Sequence, residues 1–577
     1  MIRSRAAGGF IATAAVSGLL VALPAATASA AATDCPAALP TADAVDGVGG
    51  TGYTVERGTT AEPFSATVLG RITDGIAPGI DMIMAEVDSP ALERAGGVWA
   101  GMSGSPVYTG DGKLIGSVSY GLAASSKIAG ITPAEDLLAL RGSATGARKI
   151  SVPKSQAARI AKTGEASKAL AAKGFERLPV PVSASGIAKK NTGRYLAGLE
   201  KSSGLAVRRG GSAIGVGAES SPSEIFAGSN YAASLSYGDI SLVGLGTTTY
   251  VCDGTAVAFG HPFLSAGRAE FGVHPASAVY VQEDPVFGPF KVGNAGGVVG
   301  TVTRDNTAGL RSTLGSAPKH RFPVTTSLVN EDGKAVKGRT VGVYQPYAAD
   351  IAALHLQSAV VKANGAQGAG SSEVRITVTG TRAKGKKFRL THTDHFADTY
   401  DISYATADSL YFMLLPLIDQ PYEKVNITGV KVTGKVTTDV EQYRVTGVQT
   451  KKKGKWVPVR STQSVTSGST VPLRATLSAY RSNRKVTVPI SVAVPKRSSG
   501  YTGVLTISDG LGAATTGKEP NSLNGLLAQI RNTPSSDSVV SRIDLDAPRG
   551  GVRSSVRETR LDAAVSPYQK LVSITVK

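Results

Sequence analysis

The residues of this chain best suited to covalent chemistry are Gly101-Met102-Ser103-Gly104-Ser105-Pro106. A serine hydroxyl is a weak nucleophile. It needs a base to take its proton and N–H groups to hold the oxyanion that develops on the attacked carbonyl. Glycines at 101 and 104 let the main chain curl so that N–H groups converge, and Pro106 sets the exit from the turn. Ser103 is the candidate nucleophile, and the N–H groups of Gly101 and Ser103 are the candidate oxyanion donors. Taken alone, the hexapeptide also fits an ordinary surface turn.

The base must come from six histidines, His261, His274, His320, His355, His392 and His395. Only His261 follows an apolar β-type run, Thr255 to Phe259, and it stands beside glycine and proline in Ala258-Phe259-Gly260-His261-Pro262-Phe263. Strand ends hold side chains rigidly yet leave them within reach, which suits a catalytic base. A hydrogen-bonded structural histidine is the competing reading. His392-Thr393-Asp394-His395 has metal-binding residue types but lacks a third ligand unless Asp398 joins, so a solvated loop is the simpler account.

A longer ordered run surrounds the serine. Val87-Asp88-Ser89-Pro90-Ala91-Leu92, then Gly96-Gly97-Val98, GMSGSPVY, GKLIGSVSYG and Gly130-Ile131-Thr132-Pro133-Ala134-Glu135-Asp136-Leu137-Leu138 together resemble the SpoIVB-type serine peptidases. Gly296-Gly297-Val298-Val299-Gly300-Thr301-Val302-Thr303-Arg304-Asp305 resembles a further piece of that family. The likeness covers roughly residues 50 to 145 and 235 to 330. It implies Ser103 as nucleophile, His261 as general base, and Asp88, 15 positions before the serine, as the group that orients the imidazole. Two departures stand out. The family's Gly-His segment precedes its serine, whereas His261 follows Ser103, and Pro262 replaces the glycine usual after the histidine. Triads tolerate any chain order, so the apparent circular permutation is compatible with catalysis. Asp253 is a rival for the third position, although Cys252-Asp253-Gly254 fits a hairpin turn.

The activity implied is that of a secreted serine endopeptidase of narrow processing or signalling specificity. It would cleave a protein or peptide substrate through an acyl-enzyme, without metal or organic cofactor. Met102, where trypsin-like enzymes carry an acidic residue, argues against activation by a buried new N-terminus. Ester hydrolysis would use the same triad. The alternative is a non-catalytic envelope or adhesion protein that keeps a peptidase-like scaffold.

The elements needed to position these residues are mostly strands. The expected fold is mainly β: a trypsin-like double β-barrel core with bridging helices, followed by one or two β-sandwich modules. Val107-Tyr108 and Leu114 to Val118 flank a predicted hairpin turn at Asp111-Gly112. The expected order is a signal peptide over 1–30, a block carrying Asp88 and Ser103 over 31–150, a helical bridge over 151–181, and a block carrying His261 over 182–345. A β-rich module over 346–455 and a sandwich-like module over 456–577 complete it. Asp408 to Leu415, stopped by Pro416, and Ser522 to Ile530 have helical patterns.

Arg3 and Arg5, the apolar stretch Phe10 to Leu23 and Ala28-Ser29-Ala30 have the layout of a secretory leader, with no later apolar run of spanning length. An extracellular or cell-surface location is the expectation, with an uncleaved anchor as the alternative. In that setting Cys35 and Cys252, the only two cysteines, form one disulfide by the most economical reading, tying the mature N-terminus to the turn before the histidine motif. The chain has 62 Lys and Arg against 43 Asp and Glu, for a net charge of +19. Aromatics are only 6% and do not interleave with the basic runs Arg382 to Arg389 and Lys451 to Lys455, which argues against a nucleic-acid groove. An anionic cell envelope is the partner that such charge would favour, against the plainer reading of a solvated basic surface.

Overall fold

Side chains alternate between core and solvent along Glu62–Ala77, with Phe64, Ala66 and Val68 buried and Ser65 and Thr67 exposed. That period of two makes a strand with one face on a core. The computed structural model describes residues 35–577 except 123–125, 141–145, 191–192, 204, 285–287, 515–518 and 549, so the expected leader lies outside the described residues.

Six strands of the first block pair antiparallel in the order Gly49–Thr54, Glu62–Ala77, Ile80–Asp88, Ile128–Pro133, Leu114–Gly121 and Pro106–Thr109, and the last pairs back with the first. The sheet is thereby a closed barrel with no free edge. Its core includes Phe64, Ile83, Trp99, Met102, Val107 and Val118. The Asp111-Gly112 turn forms as expected, with Gly112 at φ 83°.

A second closed six-stranded antiparallel barrel follows the order Asn230–Gly238, Ser241–Cys252, Thr255–Ala258, Gly309–Leu314, Gly300–Asn306 and Gly267–Gln282. The mainly β double-barrel architecture expected from the sequence is thus the architecture found. Two short helices, Lys154–Lys162 and Lys168–Ala171, lie in the predicted bridge.

Beyond the barrels the chain departs from the expected boundaries. The second barrel's sheet continues through Ala335–Gly342 and Phe322–Val329, which pairs parallel with Asn426–Thr437. The expected break at 345/346 is therefore bridged by a continuous hydrogen-bonded sheet. Helix Ala348–Asn364 is buried on nearly every face, because its small and aliphatic side chains pack between that sheet and helix Ile402–Ile418. Pro416 lies inside the last turn of the latter helix and does not stop it. The C-terminal sandwich begins earlier than expected, with Gln442–Lys452. Its two sheets share a core that includes Leu473, Ile490, Leu505, Ile543 and Val572.

Cys35 and Cys252 form the expected disulfide, with Cα atoms 4.9 Å apart at a sequence separation of 217. It pins the N-terminal segment to the hairpin turn Asp253-Gly254 of the second barrel. Closing so long a loop removes entropy from the unfolded chain, worth about 3–5 kcal/mol. The Cys35→Ser, Cys252→Ser variant is expected to unfold at lower temperature than wild type, and reductant should lower the wild-type transition towards the variant's. Identical melting curves would show that the bond does not constrain the unfolded state.

Candidate active site

The serine turn leaves the first barrel and is gripped by the second. Thr247 N–H donates to the Ser103 carbonyl at 2.8 Å, Thr247 Oγ1 to the Gly101 carbonyl at 3.0 Å, and Thr249 Oγ1 to the Gly104 carbonyl at 2.8 Å. Gly104 N–H in turn donates to Val118 of its own barrel at 2.8 Å. Gly104 sits at φ 97°, and a Cβ there would lie 2.0 Å from the Thr247 carbonyl oxygen, so a side chain has neither the backbone conformation nor the space. With the turn's carbonyls satisfied, the N–H groups of Gly101 and Ser103 have no acceptor among the described residues. Such a pair is free to take up a developing oxyanion.

His261 reaches the serine through a strained bend. Phe259 at φ 68° and Gly260 at φ 66° turn the chain off strand Thr255–Ala258. A left-handed phenylalanine costs on the order of 1–3 kcal/mol and persists only where its surroundings over-determine it. Here the ring is held edge-on by Tyr231 and Phe263, and the Gly260 carbonyl accepts from Thr132 Oγ1 of the other barrel at 2.7 Å. The bend brings His261 Nε2 to 2.9 Å from Ser103 Oγ. Nδ1 lies 2.8 Å from the Pro262 carbonyl oxygen. A carbonyl can only accept, so Nδ1 carries the proton and Nε2 presents its lone pair to the serine hydroxyl. That is the tautomer a general base requires.

The carboxylate expected beside this imidazole is elsewhere. Asp88 lies at the end of strand Ile80–Asp88, half-exposed, and pairs with Lys127 Nζ at 3.1 Å; Lys127 also engages Glu93 and Glu165. The position the sequence assigned to Asp88 is filled by the Pro262 carbonyl, a dipole without a full charge. Asp253, the rival, occupies the exposed hairpin turn beside Cys252. The acid that serves the histidine loop is Asp305, fully buried, whose carboxylate accepts the N–H groups of Phe263 at 2.8 Å, Leu264 at 2.7 Å and Ala266 at 3.1 Å. It acts on the backbone that carries His261 and not on the ring.

No protein-family model, curated protein or solved structure matches this chain. The functional reading therefore rests on the geometry and on the sequence motifs.

Ser103 and His261 are each only 1% exposed. The segment from Pro289 to Lys291 closes over the turn by pairing with Ala100, through Ala100 N–H to Pro289 and Lys291 N–H to Ala100, both at 2.8 Å. Lys291 is itself buried, with Nζ 2.9 Å from Asn230 Oδ1, and burial pushes its ammonium down to about 7. Lys291, Thr247, Thr249 and Asp305 escaped the sequence reading. The run Gly296 to Asp305 drew notice for its likeness to the family, but nothing in it marked Asp305 for a role beyond an acidic residue in a strand-like stretch.

The other candidate cluster comes apart. His392 Nε2 lies 3.3 Å from Asp394, His395 Nε2 turns to Glu441 at 3.2 Å, and Asp394 accepts from Ser536 N–H at 2.6 Å. Among the described residues the one group at metal-binding distances is Cys35, Cys252 and Asp253, whose cysteines are already joined. None of the described helices is long and apolar enough to cross a membrane.

Burial pushes His261 down to about 3, helped by the nearby Arg177 cation and opposed by the Pro262 carbonyl. His274 and His355 are likewise pushed down to about 4, chiefly by burial. All three are neutral in the folded chain where the unfolded chain, near 6.5, already takes protons. The unfolded state binds more protons below that value, so these groups cost no stability above about pH 7 and destabilise progressively as pH falls towards 4. The unfolding midpoint in urea is expected to drop over this window, and His274→Gln should flatten the dependence. An unchanged slope in that variant would remove His274 from the account.

Proposed function

We propose that this chain is a serine hydrolase working through an acyl-enzyme, and a peptidase by its resemblance to the SpoIVB-type family. The observation that carries the reading is the 2.9 Å approach of His261 Nε2 to Ser103 Oγ, made between two barrels and 158 residues apart in sequence. Ser103 would attack the carbonyl of a peptide substrate as His261 takes its proton. The N–H groups of Gly101 and Ser103 would hold the oxyanion, and the protonated imidazole would pass its proton to the leaving amine. Water, activated by the same histidine, would then release the acyl group. The Pro262 carbonyl keeps the tautomer correct but supplies less stabilisation to the imidazolium than a carboxylate would, and substrate entry must displace the cover over the serine turn.

A specific observation favours a second reading, a non-catalytic scaffold protein: the pair is buried and no acid among the described residues touches the histidine. Fluorophosphonate labelling of the purified chain separates the two. Labelling confined to Ser103 supports the hydrolase; a folded chain that stays unlabelled over hours supports the scaffold. Release outside the cell and contact with an anionic envelope remain part of the proposal, motivated by the leader-like segment and the +19 charge.

A further inference from the structure

A cavity of about 330 Å³ opens beside the histidine, and its lining includes His261, Pro262 and Phe263 together with Arg148, Lys149 and Arg177. Arg148 and Lys149 are exposed, where water screens their charge, whereas Arg177 is drawn further into the protein. Among the described residues the only acid lining it is Glu176, which is exposed and leans towards Lys149 at 3.8 Å. Arg177 is the telling residue. Its guanidinium is largely buried, where desolvation holds it below its ordinary range, and its side chain makes no hydrogen bond or ion pair with any described residue. The nearby Asp305 carboxylate attracts it but is already occupied by three backbone N–H groups. A planar fork of donors, partly desolvated and unengaged, fits a carboxylate in two parallel hydrogen bonds.

We propose that this cavity is the subsite for a carboxylate of the peptide substrate, with Arg177 as its binding residue; this rests on the hydrolase reading. The placement has a consequence for the chemistry. Arg177 opposes the imidazolium that His261 must become, with Arg148 and Lys149 adding like charge to the cavity and Glu176 and Asp305 opposing them. A substrate carboxylate seated on Arg177 brings a negative charge towards the imidazolium, in partial compensation for the acid that Asp88 does not provide. Substrates with the carboxylate would then be favoured in turnover as well as in binding. The carboxylate can come from an acidic side chain or from a free C-terminus.

The test is footprinting of Arg177 with phenylglyoxal, read by peptide mass spectrometry, on Ser103→Ala so that nothing is consumed. Three competitors are compared: N-acetylated, amidated alanine hexapeptides carrying one glutamate at each position in turn; N-acetyl hexa-alanine with a free C-terminus; and its amide. One of the first two is expected to slow modification of Arg177 by roughly five-fold near saturation, while the amide leaves it unchanged. The protecting peptide should also slow fluorophosphonate labelling of Ser103 in wild type but not in Arg177→Ala, with Arg177→Lys intermediate. Protection by glutamate assigns the site to an acidic side chain, and protection by the free acid to a C-terminal carboxylate. Equal modification with all competitors, on a chain whose Ser103 labels, overturns the subsite and leaves the hydrolase standing. Protection on a chain whose wild-type Ser103 never labels overturns the hydrolase reading, and with it the cavity's role as a substrate subsite.

Discussion

Replacing Ser103 or His261 by alanine is expected to abolish fluorophosphonate labelling, a loss of at least about a thousand-fold in rate, while Asp88→Asn labels within about two-fold of wild type. The asymmetry follows from where the three side chains lie. Ser103 and His261 share a 2.9 Å hydrogen bond and are both buried, so either substitution removes half of a unit that acts together. Asp88 is half-exposed and spends its charge on Lys127, a surface pair of small energetic value. The experiment compares second-order labelling rates of the three variants with wild type at equal folded fraction. A collapse of the Asp88→Asn rate would mean that the loop carrying His261 rearranges to recruit that carboxylate. Persistent labelling of Ser103→Ala would place the reactive serine elsewhere.

Asp305→Ala is expected to lower unfolding free energy by about 3–5 kcal/mol and to reduce Ser103 labelling more than ten-fold. Three N–H groups, that of Phe263 buried and those of Leu264 and Ala266 half-buried, would lose their acceptor at once, in a loop that begins two residues after His261. The loop can recover those bonds only by moving towards water, which draws His261 away from the serine. Asp305→Asn should fall between: its carbonyl oxygen can still accept from Phe263, but its amide would face the N–H groups of Leu264 and Ala266 with a donor. Urea denaturation and labelling rates, measured on both variants, decide it. Wild-type stability in Asp305→Ala would mean that the loop's N–H groups find other acceptors. Wild-type labelling in a destabilised variant would separate the loop's packing from the base's position.

The parts of this molecule legible in the sequence are those set by local stereochemistry. The serine turn announced itself because its backbone needs glycine: Gly101 sits at φ 99° and Gly104 at φ 97°. The histidine stood out because a Gly-His-Pro bend ends a strand. Alternating side chains marked the barrel strands, and two lone cysteines marked the disulfide. Asp88 was misjudged because linear spacing from the serine carries no direction: Val87 points into the barrel and Asp88 to its outside, as successive strand residues must. That alternation was readable in advance, though which face held the histidine was not.

Asp305, Thr247 and Arg177 acquire their positions only through long-range pairing. Asp305 meets Phe263 across 42 residues, and Thr247 meets Gly101 across 146. The boundary at 345 failed for the same reason, since strand Phe322–Val329 finds its parallel partner beyond an intervening helix pair. The sequence by itself determined the strands, the turn that bears the serine and the bend that bears the histidine, because each is fixed by contacts among neighbours in the chain. The tertiary structure alone decided what sits behind the histidine. A buried polar group takes whichever partner the closed barrels bring within reach, and that closure is a property of strand order, not of any one segment.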